Sequence, residues 1–338
     1  MRIAVVGAGS LGTIIGALLS GDGIEPLLVD ANREHVEALN SHGATVTGHL
    51  DLNVPVKAIL PEGLEGSFDL FIYTAKSTYD EVALPALLPF FAEDGCLITL
   101  QNGVPEERVA SFIGRERTLG GAVGWGATWQ GPGVSELTSE PEKMTYDIGE
   151  LDGSLTERIR QVKSVLDHAG MAEITANLVG VRWSKLLVNI TFSGMSTVIG
   201  GSYGEVLDDE KAIRLAAAIT VECIDTAAAL GIKFEPIQGL DPSVLKPLIL
   251  EQEENALNVI RMVYGPHRDI RASMLQDCEK GLRCEVETLN GYLSAKSREV
   301  GVATPVNDKV VEIIREIEAG TREPGSSNLE LFESRQGT

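Results

Sequence analysis

A glycine-rich turn near the N-terminus constrains the fold of this chain more than any other feature. Residues 2–6 form a short run that is apolar after Arg2 and rich in β-branched side chains, as expected for a strand buried on both faces. A G-x-G-x-x-G sequence follows at residues 7–12, and residues 13–19 have the apolar pattern of a helix. This strand–turn–helix order is the context in which the glycine pattern indicates a dinucleotide-binding fold.

Each glycine of this turn has a predicted role. Gly7 permits the tight turn, Gly9 lets the backbone approach a pyrophosphate, and Gly12 lets the helix and strand pack closely. The N-terminus of the helix offers N–H groups and a partial positive charge to the phosphates. We therefore predict that the cofactor is bound by Gly7, Gly9, Ser10, Leu11 and Gly12. The alternative is a turn with only a structural role.

The second predicted strand, at residues 25–30, ends in an acid and favours NAD over NADP. Asp30 lies eighteen residues after Gly12, close to the spacing at which an acid binds the ribose hydroxyls. A carboxylate there would repel the extra phosphate of NADP, although Arg33 is near enough to compensate. Asp30 is also a suitable N-cap for the helix that follows, and the two roles are compatible.

Composition and charge exclude several classes of function. The chain has 338 residues, which favours two domains, and its hydrophobic content of 43% is ordinary for a globular protein. The net charge of −21 argues against nucleic acid and anionic membranes as partners. We find no signal peptide, no run long enough to span a bilayer, and no metal-ligand spacing among the four cysteines. We expect a cytoplasmic protein without a metal site.

The order of local patterns predicts an α/β Rossmann-type N-terminal domain followed by an all-α C-terminal domain. Residues 1–177 alternate between strands and helices, with an antiparallel addition to the sheet at residues 119–150. Strand signals then end, and residues 178–322 have the pattern of consecutive helices in a substrate-binding, catalytic domain. Residues 323–338 are predicted as a polar tail with a frayed end.

Two polar residues follow strands of the predicted parallel sheet. Lys76 comes after the buried strand at residues 68–75, and Asn102 comes after the strand at residues 95–101. Ligands of open parallel sheets bind beyond the carboxyl ends of the strands, so both residues are candidates for cofactor binding. Asn102 precedes a glycine, so a plain turn is its structural alternative.

The helix predicted at residues 179–198 is largely apolar, and it carries Lys185, Asn189 and Ser193. Their spacing of four residues places all three on one helical face. A lysine in such a helix is either a solvated edge or a functional group suited to proton transfer.

A second polar cluster begins at Ser273. One straight helix would separate Ser273 from Glu285 by about 18 Å at 1.5 Å per residue, too far for both to contact one small ligand. Gly281 offers a break, and we predict an irregular segment followed by a new helix that starts near Cys284. The structural alternatives are a helix-dipole role for Glu285 and a capping box of Ser273 with Gln276.

The whole chain resembles the ketopantoate reductase (2-dehydropantoate 2-reductase) family. The resemblance rests on the order and spacing of the following motifs: Gly-Ala-Gly-Ser-Leu-Gly at residues 7–12, Ala75-Lys76-Ser77, Gln101-Asn102-Gly103, Gly131-Pro132-Gly133, Ile148-Gly149-Glu150, Trp183-x-Lys185-x3-Asn189, Ser273-Met274-Leu275-Gln276-Asp277 and Glu285-x4-Asn290-Gly291. It implies a Rossmann domain followed by a helical domain, and an oxidoreductase that reduces 2-dehydropantoate to pantoate with NAD or NADP.

The resemblance also implies a role for each site residue. Lys185 would be the general acid that protonates the keto oxygen as hydride arrives, and Glu285 would orient the substrate hydroxyl and Lys185. Lys76 would lie near the cofactor, and Asn102 would contact cofactor and substrate. The residues predicted to bind substrate are Asn102, Asn189, Ser193 and Ser273.

Two positions depart from the family's pattern. Ser193 stands where many members have asparagine, and Asn32 stands where many have an arginine for the NADP phosphate. A related 2-keto acid or β-hydroxyacid dehydrogenase on the same scaffold is therefore the first alternative, and a non-catalytic dinucleotide-binding regulator is a remote one. The expected partner is a small 2-keto acid, and the apolar helices leave a homodimer open.

Overall fold

The computed structural model describes residues 1–237 and 239–332, and the chain clusters into two compact units. Unit 1 comprises residues 1–101 and 105–178, and unit 2 comprises residues 102–104 together with the chain from residue 179 onward. Unit 1 combines strands and helices, whereas the regular elements of unit 2 are helices. The predicted fold class is confirmed.

Unit 1 is built on a mainly parallel sheet. Its strands are β1 (Ile3–Val6), β2 (Leu27–Val29), β3 (Ala44–Gly48), β4 (Leu52–Val54), β5 (Lys57–Ile59), β6 (Phe68–Tyr73), β7 (Phe91–Thr99), β8 (Thr118–Val123), β9 (Ala127–Gly131), β10 (Val134–Leu137), β11 (Thr145–Glu150) and β12 (Met171–Ile174). Its helices are α1 (Ser10–Gly21), α2 (Arg33–His42), α3 (Asp80–Leu87), α4 (Glu106–Ile113) and α5 (Glu157–Leu166). Eight strands form one sheet in the order β12-β11-β8-β7-β6-β1-β2-β5, in which β1 pairs in parallel with β2 and β6.

The antiparallel addition predicted at residues 119–150 is confirmed only in part. β8 and β11 do pair in antiparallel fashion within the large sheet. β9 and β10 instead leave that sheet and join a second one in the order β4-β3-β10-β9. The pairing of β10 with β3 is parallel and joins segments about ninety residues apart, which no local pattern predicts. α1 contacts strands of both sheets and is buried along most of its length.

Unit 2 consists of packed helices around one apolar core. The helices are α6 (Leu178–Val188), α7 (Gly194–Ile199), α8 (Tyr203–Asp208), α9 (Glu210–Ala229), α10 (Leu245–Glu251), α11 (Glu253–Tyr264), α12 (Ser273–Glu279), α13 (Asn290–Glu299) and α14 (Pro305–Glu318). A π-helical turn at Asn189–Ser193 joins α6 to α7. The start of the predicted tail is ordered, since Leu329 is buried in this core, whereas its predicted frayed end at residues 333–338 lies outside the described residues.

Among residues 1–237 and 239–332, no helix has both the length and the hydrophobicity needed to cross a membrane. The same ranges contain no cluster of three or more His, Cys, Asp or Glu side chains arranged to hold a metal ion.

A buried carboxylate ties three helices of unit 2 together. Glu222 on α9 is 8% exposed and accepts hydrogen bonds from the backbone N–H groups of Val306 and Asn307, both at 2.9 Å. Asn307 in turn accepts a hydrogen bond of 2.8 Å from Asn290 on α13. Burial raises the pKa of Glu222 to about 7, although the two backbone hydrogen bonds oppose this shift.

We predict that the contribution of Glu222 to the stability of the protein falls as the pH rises from about 4.5, the ordinary pKa of a glutamate, to about 7. In this window the folded protein holds a proton on Glu222 that the unfolded chain has released, so the free energy of unfolding decreases with rising pH. At about 1.4 kcal/mol per pKa unit, the decrease amounts to a few kcal/mol. Denaturant titrations of the wild type and Glu222→Gln across this range measure it. The variant should lack this part of the decrease, and equal slopes would contradict the assignment.

Candidate functional site

The three glycines of the turn differ in the space around them: Gly7 and Gly12 lie against backbone, and Gly9 is open. Gly7 has φ of +86°, and a Cβ there would lie 2.4 Å from the backbone nitrogen of Ala75. A Cβ on Gly12 would lie 2.4 Å from the carbonyl oxygen of Gly7. A Cβ on Gly9 would meet nothing within 4 Å. The turn is therefore packed tightly at Gly7 and Gly12 and open at Gly9.

This open side adjoins the N-terminus of α1. The helix begins at Ser10, and no side chain among the described residues caps it. The first N–H groups of a helix have no partner within the helix, so Ser10 and Leu11 present their backbone to an anion. The cradle fits the pyrophosphate of a nicotinamide dinucleotide, and binding by these residues stays a prediction.

The helix α2 is capped by Asn32 and not by Asp30, the residue suggested by the sequence. Asn32 is the N-cap of α2, because its side chain accepts a hydrogen bond from the backbone N–H of His35. The Asp30 carboxylate accepts the backbone N–H of Asn32 at 2.8 Å, so the N-cap assignment to Asp30 is wrong. Arg33 lies at the surface, 3.9 Å from Glu62.

A buried hydrogen-bond network joins the ends of β6 and β7. The Asp80 carboxylate accepts hydrogen bonds from the hydroxyl of Tyr73 at 3.0 Å, from Nε2 of Gln101 at 2.8 Å and from Nε of Arg108 at 3.2 Å. Nε2 of Gln101 also donates to the carbonyl oxygen of Ala75 at 2.9 Å. Burial raises the pKa of Asp80, and the hydrogen bonds from its partners oppose this shift.

This network supports the backbone next to two predicted site residues, Lys76 and Asn102. Lys76 is half-buried and directly follows Ala75, whose carbonyl the network holds. Asn102 directly follows Gln101. The network is not predicted from the sequence, because Asp80 occupies an ordinary position at the start of a helix. The sequence signal for this network is that Asp80 and Gln101 follow two neighbouring strands, β6 and β7.

Asn102 and Glu285, which lie 183 residues apart in the sequence, are brought together in unit 2. Nδ2 of Asn102 donates to Oε2 of Glu285 at 3.2 Å. Gly103 has φ of +78°, and a Cβ there would lie 2.7 Å from the carbonyl oxygen of Thr288. The backbone that follows Asn102 therefore packs against the segment that carries Glu285, and only glycine fits at the contact.

The segment around Glu285 differs from its prediction. The predicted break is confirmed, since α12 ends at Glu279 and Gly281 has φ of +66°. The predicted helix start near Cys284 is wrong, because α13 begins only at Asn290. The carbonyl of Glu285 accepts the N–H of Leu289 at 3.0 Å, which closes a single turn that does not continue. Glu285 lies in this turn, before α13 begins, so a helix-dipole role does not apply to it. Only 7% of its surface is exposed.

Ser273 is the first residue of α12, and Ala272 is the N-cap. The predicted capping box is therefore wrong, and the side chain of Gln276 instead donates to the carbonyl oxygen of Arg271 at 3.1 Å. Ser273 is exposed, which leaves its hydroxyl accessible to a ligand.

The helix with Lys185 contains the π-helical turn. Lys185 and Asn189 are half-buried and one turn apart. The π turn spans Asn189–Ser193, and the placement of all three residues on one face stays a prediction. Ser193 is 6% exposed, and its hydroxyl lies 2.7 Å from the hydroxyl of Tyr203.

Asn189 has a buried donor without a partner. Its Nδ2 atom is enclosed, and no hydrogen-bond acceptor reaches it among the residues that the structure describes. Nearly all buried polar atoms in proteins are hydrogen-bonded, so an exception next to a half-buried lysine indicates a place for a ligand acceptor. A π turn in a helix is also frequent at functional sites.

Comparison with known proteins agrees with these features. The family description "Ketopantoate reductase PanE/ApbA" matches residues 3–153, and "Ketopantoate reductase PanE/ApbA C terminal" matches residues 177–318. The 2-dehydropantoate 2-reductase of Pyrococcus horikoshii is 29% identical over 309 residues, which cover 91% of this chain and 94% of the relative. That of Archaeoglobus fulgidus is 29% identical over 320 residues, which cover 94% and 98%.

Solved structures share the fold. The 2-dehydropantoate 2-reductase of Geobacter metallireducens GS-15 is 26% identical, with a TM-score of 0.80 over 94% of this chain and 99% of that chain. D-mandelate dehydrogenase with NADH and anilino(oxo)acetate has a TM-score of 0.82 over 95% and 99%, at 24% identity. At 24% identity, the similarity to D-mandelate dehydrogenase shows a shared fold alone.

We predict different outcomes for alanine at two glycines of the turn. Gly12→Ala should lower the free energy of unfolding by about 1–3 kcal/mol, because the added methyl overlaps backbone. Gly9→Ala should fold normally but bind NADH more weakly, because its methyl occupies the open approach to the turn. Thermal unfolding and NADH titration measure the two effects. Gly265→Ala, at an open position in unit 2, is the control. Wild-type NADH affinity in Gly9→Ala would contradict the assignment.

Proposed function

The chain belongs to the ketopantoate reductase family, and from that membership we propose that it reduces 2-dehydropantoate to pantoate with a nicotinamide cofactor. One structural observation carries the proposal. The hydrogen bond between Asn102 and Glu285 joins, across 183 residues of sequence, two side chains for which the family resemblance implies roles at one site. The names of the relatives support the choice of keto acid.

Lys185 is the proposed general acid. Addition of hydride to a ketone builds negative charge on the oxygen, and a positioned ammonium group stabilises that charge and then donates its proton. The half-burial of Lys185 supports this role, because a partly desolvated ammonium interacts more strongly with a developing oxyanion than one in bulk water.

The remaining residues of the proposed site bind and orient the substrate. Asn189 offers its unpartnered Nδ2 to a substrate oxygen. Glu285 orients the substrate hydroxyl and Lys185, and Asn102 holds the Glu285 carboxylate in place at 3.2 Å. The exposed hydroxyl of Ser273 donates to the substrate carboxylate.

The cofactor supplies the hydride when bound, and the chain's residues fit NADH better than NADPH. Gly7, Gly9 and Gly12 form the phosphate cradle, with Lys76 nearby at the sheet edge. Asp30 keeps one carboxylate oxygen, Oδ2, for the ribose hydroxyls, since Oδ1 accepts the N–H of Asn32. A carboxylate at that place opposes the 2′-phosphate of NADPH.

A related 2-keto acid dehydrogenase is the second candidate, and Ser193 favours it. Family members with asparagine at this position place a longer amide there. In this chain the short side chain is held against Tyr203 at 2.7 Å, within an aromatic group that includes Phe192 and Tyr264. Serine is shorter than asparagine, and a shorter side chain at this position suits a keto acid with a different tail.

The test of the proposed function is the exchange of Lys185. Lys185→Ala should lower kcat with 2-dehydropantoate by about 10²- to 10⁴-fold, the usual contribution of a general acid, and leave the affinity for NADH unchanged. Steady-state kinetics and NADH titration measure both quantities. Lys309→Ala, which removes a half-buried lysine on α14 paired with Glu312, is the matched control and should keep wild-type values. Wild-type turnover in Lys185→Ala would contradict the proposed mechanism.

A further inference from the structure

His35 is a buried histidine beside the glycine-rich turn that the proposed function does not use. It lies on α2, and only 1% of its surface is exposed. Its Nε2 lies 2.5 Å from the carbonyl oxygen of Ala8, in the middle of the turn. Its Nδ1 accepts a hydrogen bond of 2.9 Å from the backbone N–H of Gly133. The ring therefore joins the turn to the connection between β9 and β10.

The hydrogen bond from Gly133 determines which ring nitrogen carries the proton. A backbone N–H only donates, so Nδ1 must be the unprotonated acceptor. The proton of the neutral ring is then on Nε2, which donates it to the Ala8 carbonyl. The same carbonyl accepts a second hydrogen bond of 2.6 Å from the hydroxyl of Thr13 on α1. Two buried donors thus hold the Ala8 oxygen on the inner side of the turn.

The orientation of this carbonyl determines the direction of the next N–H group. The chain has no cis peptide bond among its described residues, so the Ala8–Gly9 peptide is trans and planar. In such a peptide the C=O and the following N–H point in opposite directions. With the Ala8 oxygen directed inward, the N–H of Gly9 points outward. Gly9 is the open position of the turn, where an added Cβ would meet nothing within 4 Å.

We propose that His35 is a positioning residue that aims the Gly9 N–H at the pyrophosphate of the cofactor. This role rests on the proposed function, because it requires that a dinucleotide binds at the turn. The contact with Gly133 orients the ring, and the contact with Ala8 orients the peptide. Backbone N–H groups that are aimed before binding strengthen it, because no reorganisation is needed when the anion arrives.

Two amide substitutions separate the Gly133 contact of Nδ1 from the Ala8 contact of Nε2, which also lies 3.2 Å from the Thr13 hydroxyl. In His35→Gln, the amide reaches the position of Nε2, so its N–H donates to the Ala8 carbonyl, but the Gly133 contact is lost. In His35→Asn, the shorter amide reaches only the position of Nδ1, so its oxygen accepts the Gly133 N–H, but the Ala8 contact is lost. Both variants remove one buried ring, so they should be destabilised to a similar extent. His42→Gln, at the exposed end of the same helix, is the matched control.

The experiment measures the dissociation constants of NADH and of ADP-ribose, which carries the pyrophosphate without the nicotinamide, together with thermal unfolding. His35→Asn should weaken the binding of both ligands by about fivefold to tenfold, the equivalent of one net hydrogen bond. His35→Gln should bind both with nearly wild-type affinity at a similar unfolding temperature. A merely structural role predicts that affinity follows stability in both variants.

Equal affinity in the two variants, whether lowered or unchanged, would overturn the role of His35 while leaving the proposed function intact. Failure of the wild type to bind NADH, NADPH or ADP-ribose would overturn the proposed function, and the inference with it.

Discussion

The close packing of the Gly7–Gly12 turn against backbone is the constraint on which the rest of unit 1 depends. Gly7 lies against the Ala75 backbone at the end of β6, and Gly12 lies against the carbonyl of Gly7. No side chain fits at either contact, so β1, β6 and the start of α1 are held at fixed separations. The turn is left open only at Gly9, and the ends of β6 and β7 reach the same edge of the sheet, where the Asp80 network holds them.

A comparable constraint operates in unit 2. Residues 102–104, which begin three residues after the end of β7, cluster with unit 2 rather than with that strand. Gly103 permits a backbone contact with Thr288, and Asn102 pairs with Glu285. The segment between α12 and α13 forms turns rather than a continuous helix. These turns place the buried Glu285 carboxylate within reach of Asn102. The π turn after Lys185 begins at Asn189, whose Nδ2 has no hydrogen-bond acceptor among the residues that the structure describes.

Local sequence patterns predicted the fold class and most elements of unit 1, because buried strands and glycine turns have strong short-range signals. Two of the predictions that failed depend on contacts distant in sequence. β10 pairs with β3, and Glu285 lies in a turn because of its neighbours rather than its own propensity. A π turn and an α turn have the same apolar pattern, so the π turn at Asn189–Ser193 is not visible in the sequence. Asp80 and His35 have no signal as single residues, since their roles come from partners up to 98 residues away.

The central claim is that this chain transfers hydride to a 2-keto acid. The most direct measurement is the incubation of the wild-type protein with 2-dehydropantoate and NADH that carries deuterium at the transferable position, followed by mass spectrometry of the product. We expect pantoate with one deuterium at the former keto carbon and an equal amount of oxidised cofactor. Tight binding of NADH without deuterium in any pantoate would contradict it.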